Sequence, residues 1–107
     1  MTQPIIIQTT VDNQAWADKL IASLVESRLS ADVQLSDIHS YYWWDGAVQN
    51  KKETLLTIKT REDLISDVEN TIRQHSEYQV PQIIVIPIIG GGADYLNWIN
   101  TETKKVE

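Results

Sequence analysis

The fold is decided by the stretch Asp32-Val33-Gln34-Leu35-Ser36-Asp37-Ile38-His39-Ser40-Tyr41-Tyr42-Trp43-Trp44-Asp45-Gly46 and the return arm Ala47 to Lys59. Val33 and Leu35 share one parity, and Ile38, Ser40, Tyr42 and Trp44 continue on the other. This alternation predicts a strand, and the change of parity predicts a bulge around Ser36-Asp37. Asp45-Gly46 is the residue pair suited to a two-residue type I′ turn, in which both positions take positive φ. On the return arm Leu56 and Ile58 alternate against Leu55 and Thr57. The whole stretch is therefore a β-hairpin whose arms of about 13 or 14 residues reach roughly 45 Å at ~3.3 Å per residue. A folded chain of this size has a radius of gyration of only about 13 Å, so the hairpin must overhang its own globule. Its tip, Tyr41-Tyr42-Trp43-Trp44, would expose several hundred Å² in a lone chain, at ~150–250 Å² per ring. Pairing of the overhang with the edge strand of a neighbour, in a closed symmetric oligomer, removes that exposure. The alternative is a tip folded back beneath the C-terminal helix, with Trp98 on Trp43 or Trp44.

Upstream, Pro4 to Thr10 holds the run Ile5-Ile6-Ile7 and reads as a buried strand. Asp12 is placed to cap a helix whose stripe is Ala17, Leu20, Ile21, Leu24 and Val25, ending near Leu29. Downstream, Thr60 and Asp63 resemble a capping box for a second helix carrying Leu64, Val68 and Ile72 and ending near His75. Tyr78 to Pro81 is a loop. Ile83 to Ile89 reads as a buried strand, with Pro87 confining that part to an edge or a bulge. Gly90-Gly91-Gly92 ends it, and Asp94 is placed to cap a short terminal helix with Tyr95, Leu96, Trp98 and Ile99. The order β-α-β-β-α-β with right-handed crossovers predicts an α+β, ferredoxin-like sandwich: a four-stranded antiparallel sheet with two helices on one face. Residues 1–107 are expected to form a single domain, since the length leaves no room for a second core.

The hydrophobic fraction of 42% and charged fraction of 22% are those of a globular protein. A net charge of −6 without a Lys/Arg stripe excludes nucleic acid as an expected partner, because phosphate backbones are repelled. Zero cysteines exclude disulfides and thiolate chemistry and fit a reducing compartment, so the cytosol is expected. Met1 to Val11 offers neither a signal peptide nor a membrane span.

Several motifs stand in a common order. Ser40, Tyr42, Trp44, Gly46 and Glu53 give S-x-Y-x-W-x-G-x6-E, Lys59-Thr60 closes the second arm, His75 to Pro81 reads H-x-x-Y-x-x-P, and Tyr95-Leu96-x-Trp98 follows. Together they resemble the CutA divalent-cation tolerance family across essentially the whole chain. The resemblance implies a very stable homotrimer, similar in architecture to the PII signalling proteins, with a role in tolerance of divalent metals, copper especially. It also implies that Tyr41, Tyr42, Trp43, Trp44, Glu53, Lys59, Tyr78, Pro81, Tyr95 and Trp98 line subunit interfaces or the cleft between subunits. Many relatives carry a cysteine within the stretch that here reads Leu29-Ser30-Ala31-Asp32-Val33, so Asp32 stands in for a soft ligand.

Copper(I) requires Cys or Met, and the chain offers only Met1. Copper(II) or another divalent cation could use imidazole and carboxylate, which makes His75 and His39 the candidate ligands, with Glu53 or a neighbour's carboxylate. Ordinary surface histidines are the alternative. Glu53 and Lys59 share a parity beside Tyr42 and Trp44, so they suit either a small-molecule site in the cleft or a set of interface contacts fixing the register. The triple glycine matches no phosphate-binding motif and reads as a flexible turn. No nucleophile-elbow motif suggests catalysis, and an enzyme is not expected.

Overall fold

In a computed structural model describing residues 2–106, the elements in chain order are β1 (Pro4–Val11), α1 (Gln14–Glu26), β2 (Asp32–Trp44), β3 (Ala47–Arg61), a 3-10 turn (Glu62–Leu64), α2 (Ile65–His75), β4 (Ile84–Pro87) and α3 (Ala93–Glu102). The four strands form one antiparallel sheet in the order β2-β3-β1-β4. This is the α+β, ferredoxin-like arrangement that the β-α-β-β-α-β pattern predicts.

The core follows from strand parity. Ile5, Ile7, Thr9 and Val11 of β1 stand opposite Ile58 and its neighbours Thr60, Leu56 and Thr54 on β3, and all of them are buried. Ala17, Leu20 and Leu24 of α1 and Val68 and Ile72 of α2 close over that face. Each large aliphatic side chain so buried contributes ~1.5–3 kcal/mol.

Local boundaries differ from the sequence expectation for identifiable reasons. Asn13, not Asp12, caps α1: its side chain accepts from the Trp16 N–H at 3.1 Å. Asp12 is instead drawn into an ion pair with Lys51 at 2.9 Å. The helix ends at Glu26, three residues early, because Arg28 turns left-handed at φ 59° and its N–H closes on the Val25 carbonyl. No capping box forms at Thr60, which stays in the sheet opposite Ile5 and donates its hydroxyl to the Leu29 carbonyl at 2.6 Å. Asp63 is held by the Arg61 guanidinium at 2.9 and 3.2 Å. Asp94 does not cap α3 either: Gly92 occupies that position without a side-chain bond.

The hairpin has no bulge. Its register runs unbroken from Asp32↔Lys59 to Trp44↔Ala47. The parity change has another cause: Val33, near the base, packs toward the helices, whereas farther out the helices no longer cover that face. The turn is as expected, with Asp45 at φ 52° and Gly46 at φ 77°.

β1 ends at Val11, opposite Thr54. The rungs from Ile38↔Glu53 to Trp44↔Ala47 therefore form a free two-stranded ribbon, about 23 Å long at the strand rise. The molecule accordingly measures 45 × 25 × 21 Å. Tyr41 and Trp43 are 69% and 74% exposed. Trp98 does not fold over them but stacks on Tyr95, with ring centroids 5.6 Å apart. β4 is an edge strand, as Pro87 requires, yet it is not buried: every residue from Ile84 to Pro87 is exposed in the isolated chain. α3 lies on the sheet face opposite α1 and α2, where Arg61 donates to the Thr103 carbonyl and hydroxyl.

Replacing Ile58 with alanine, which empties a fully buried position, should lower unfolding free energy by about 2–5 kcal/mol in urea titrations. Asn13→Ala should cost about 1 kcal/mol through the lost cap.

Candidate functional site

Glu53 occupies the first rung of β3 beyond the end of β1, at the root of the ribbon. Residues of even number on β2 and odd number on β3 share one face, so Tyr42, Trp44 and Ser40 project with Lys51 and Glu53. The loop after α2 rises against this face and brings Tyr78 and Pro81 opposite them. The result is a cleft of about 680 Å³ lined by Ser40, Tyr41, Tyr42, Trp44, Lys51, Glu53, Tyr78 and Pro81, together with Thr10, Glu77 and the rest of that loop to Gln82. A cavity of this size suits a small organic molecule.

Four contacts build the root. The Tyr78 hydroxyl donates to Glu53 Oε2 at 2.7 Å. The Asp12 backbone N–H donates to Glu77 Oε1 at 2.8 Å, tying the α2–β4 loop to the start of α1. Lys51 pairs with Asp12, and its ammonium sits 4.5 Å from the centroid of the Tyr78 ring. Glu53 is only 9% exposed, so its carboxylate is held largely out of water. Burial, and then the bond to Glu53, push the Tyr78 phenol well above its ordinary range, so it stays protonated as a donor. The hydrogen bond to Asp12 raises the Lys51 ammonium against the opposing effect of burial.

The other expected cleft residues lie elsewhere. Lys59 is six residues from Glu53 on the same face, about 20 Å along the strand. There it donates to Gln34 Oε1 at 2.6 Å and to Asp32 Oδ2 at 3.3 Å, while Tyr95 donates to the same Asp32 oxygen at 2.8 Å. Tyr95 and Trp98 thus belong to a second cluster under α3. Burial alone would lower the Lys59 pKa, but hydrogen bonds to Tyr95 and Asp32 outweigh it and raise it. Trp43 points to the opposite side of the ribbon from Tyr42 and Trp44. Lys51 and Glu77 were not among the expected site residues, and Asp12 was expected only as a helix cap. Lys51 shares the parity of Glu53 two residues away, and Glu77 falls inside H-x-x-Y-x-x-P, so both signals were present.

The two histidines do not meet. His75 joins α2 to α1: its Nδ1 lies 2.9 Å from the Thr71 carbonyl and its Nε2 3.1 Å from the Ser23 hydroxyl. Both nitrogens are engaged. His39 is exposed on the helix side of the ribbon, its ring 6.4 Å from that of Tyr41. Among the described residues no group of three or more His, Asp or Glu is gathered as a metal site. No helix among them is long and apolar enough to cross a membrane.

The fold is a ferredoxin-like α+β sandwich with a cleft of ligand size at the root of a projecting hairpin. Residues 5–102 match the family described as CutA1 divalent ion tolerance protein, and the chain belongs to that family. It is 38% identical over 102 residues to Protein CutA 1, chloroplastic, of Oryza sativa, covering 94% of this chain and 58% of that one. It is 38% identical over 101 residues to the Divalent-cation tolerance protein CutA of Pyrococcus horikoshii, covering 94% and 99%. The chain thus spans little more than half of the plant relative and nearly all of the archaeal one. The crystal structure of CutA1 from Oryza sativa matches with a TM-score of 0.94 and 37% identity, covering 98% of this chain and 97% of that one.

Because the folded pKa values of Tyr78 and Lys51 lie above their ordinary values of 10.0 and 10.5, their contribution to stability is complete below those values. It is lost as pH rises above them and through the higher folded values. Urea midpoints should therefore fall from about pH 10 upward. Tyr78→Phe should make that decline shallower and cost roughly 1–3 kcal/mol at pH 8, since a largely buried carboxylate loses its donor.

Proposed function

We propose that the protein acts in tolerance of divalent cations as a closed homotrimer, by binding rather than by catalysis, with one CutA-like domain (residues 1–107) per subunit. The observation that carries this reading is the ribbon: rings at 69%, 38%, 74% and 44% exposure on Tyr41, Tyr42, Trp43 and Trp44, beside a sheet edge at β4 made of exposed aliphatic residues. An edge strand and an apolar overhang on one chain are complementary needs, and a rotational arrangement meets both. The family's description supplies the divalent-cation role. A binding role agrees with the root of the cleft, where the Tyr78 phenol is fixed as a donor and Glu53 as its acceptor. The cytosol is the proposed compartment, as suits a cysteine-free chain.

For copper(II) or another divalent cation as cargo, the residues of one chain do not make a closed site. His39 is the imidazole with room to bind, and the remaining ligands would come from a neighbouring subunit's carboxylates. A second reading is favoured by the cleft itself: a PII-like sensor in which a small molecule at Glu53, Tyr42 and Tyr78 alters a partner contact.

Sedimentation equilibrium at micromolar concentration should give about three times the 12.2 kDa chain mass, and Tyr41→Glu with Trp43→Glu should shift it toward the monomer. A wild-type monomer would overturn the reading. Calorimetry with copper(II) should show binding that His39→Ala weakens and His75→Ala leaves unchanged.

A further inference from the structure

We propose that the cleft at the root of the ribbon binds a small organic ammonium ion, a primary or secondary alkylamine carrying an apolar group; this rests on the reading of the cleft as a ligand site. Glu53 is the reason. Its side chain is nine-tenths buried, so a carboxylate oxygen that the protein leaves without a donor is confined to what enters the cleft. Only Oε2 has a donor, Tyr78; Oε1 takes no hydrogen bond from any described residue. Glu53 lines the cleft, so a ligand N–H can reach the open oxygen from there.

The neighbouring cation does not fill this role. Lys51 is already paired with Asp12 at 2.9 Å and lies over the Tyr78 ring. The remaining ionic group of the lining, Glu77, is negative and accepts the Asp12 N–H through Oε1. Counting Lys51, Glu53 and Glu77, the lining carries one net negative charge, within a chain of net charge −6. Both disfavour an anionic ligand and favour a cation. The walls then decide what sort of cation. Tyr42 and Trp44 line the cleft with aromatic side chains not engaged by Lys51, and such rings attract an alkylammonium and shelter its hydrocarbon part. A bare divalent ion requires several oxygen or nitrogen ligands converging on one point, and aromatic walls supply none.

The test compares benzylammonium with benzyl alcohol, which match in shape and differ in charge, by calorimetry on the intact protein at pH 7.5. Benzylammonium should bind saturably and at least tenfold more tightly than the alcohol. Glu53→Gln should weaken it tenfold or more, and Tyr42→Leu, which leaves all charges in place, several-fold. The second variant keeps the test decisive if the first does not fold. Absence of saturable benzylammonium binding, equal affinity for the two probes, or wild-type affinity in a folded Glu53→Gln protein would overturn the proposal. Sedimentation of the same samples separates the two readings: a trimer without ammonium binding sinks this inference alone, and a monomer that still binds sinks the trimer alone.

Discussion

A mismatch of strand lengths organises the molecule. β3 pairs with the 8 residues of β1 on one side and with the 13 of β2 on the other, and both ladders are continuous. Where β1 runs out, the sheet becomes a ribbon, and the helices that cover its inner face stop with it. Glu53 stands on the first uncovered rung. A charged side chain there is neither core nor plain surface. It is sheltered by the chain that must turn at that point, the start of α1 on one side and the α2–β4 loop on the other. The cleft is thus a product of topology: a four-stranded sheet with matched strands would have no root for it.

Charge placement follows the same geometry. The two ends of the sheet's α3-bearing face each carry a lysine, a carboxylate and a tyrosine, but their partners differ. At the base, Asp32 receives both Lys59 and Tyr95, so the cluster closes on itself and fastens α3. At the root, Lys51 goes to Asp12 and Tyr78 goes to Glu53. The acid at the base has two donors and the acid at the root has one. The first arrangement has the character of a latch, and the second leaves acceptor capacity facing an open cleft.

Much of this was legible in the sequence. Asp45-Gly46 with alternating flanks fixed the hairpin, and arm length against globule size gave the overhang that the 45 Å dimension displays. What was not legible depended on neighbours remote in sequence. The parity change at Ser36-Asp37 looked like a bulge, because periodicity reports which face is apolar and not what covers it; here the cover ended while the ladder did not. The caps failed for a related reason. Asp12, Thr60 and Asp63 had suitable spacing, but Lys51, the β1 ladder and Arg61 claimed them first. Shared parity placed Glu53 and Lys59 on one face correctly, yet could not show that six residues of strand put them in separate clusters.

The cleft and the proposed assembly are mechanically linked. A two-stranded ribbon is at best marginally stable in water without a third strand or a packed face. Tyr42 and Trp44, which form one wall of the cleft, stand farther out on that ribbon, whereas Glu53 and Tyr78 meet at its root. The ribbon's far side carries Tyr41, Trp43 and Val48, all exposed in the single chain. A neighbouring subunit seated on that side would therefore lower the entropy lost when a ligand enters, without touching the ligand. By the same linkage a bound ligand would tighten the assembly.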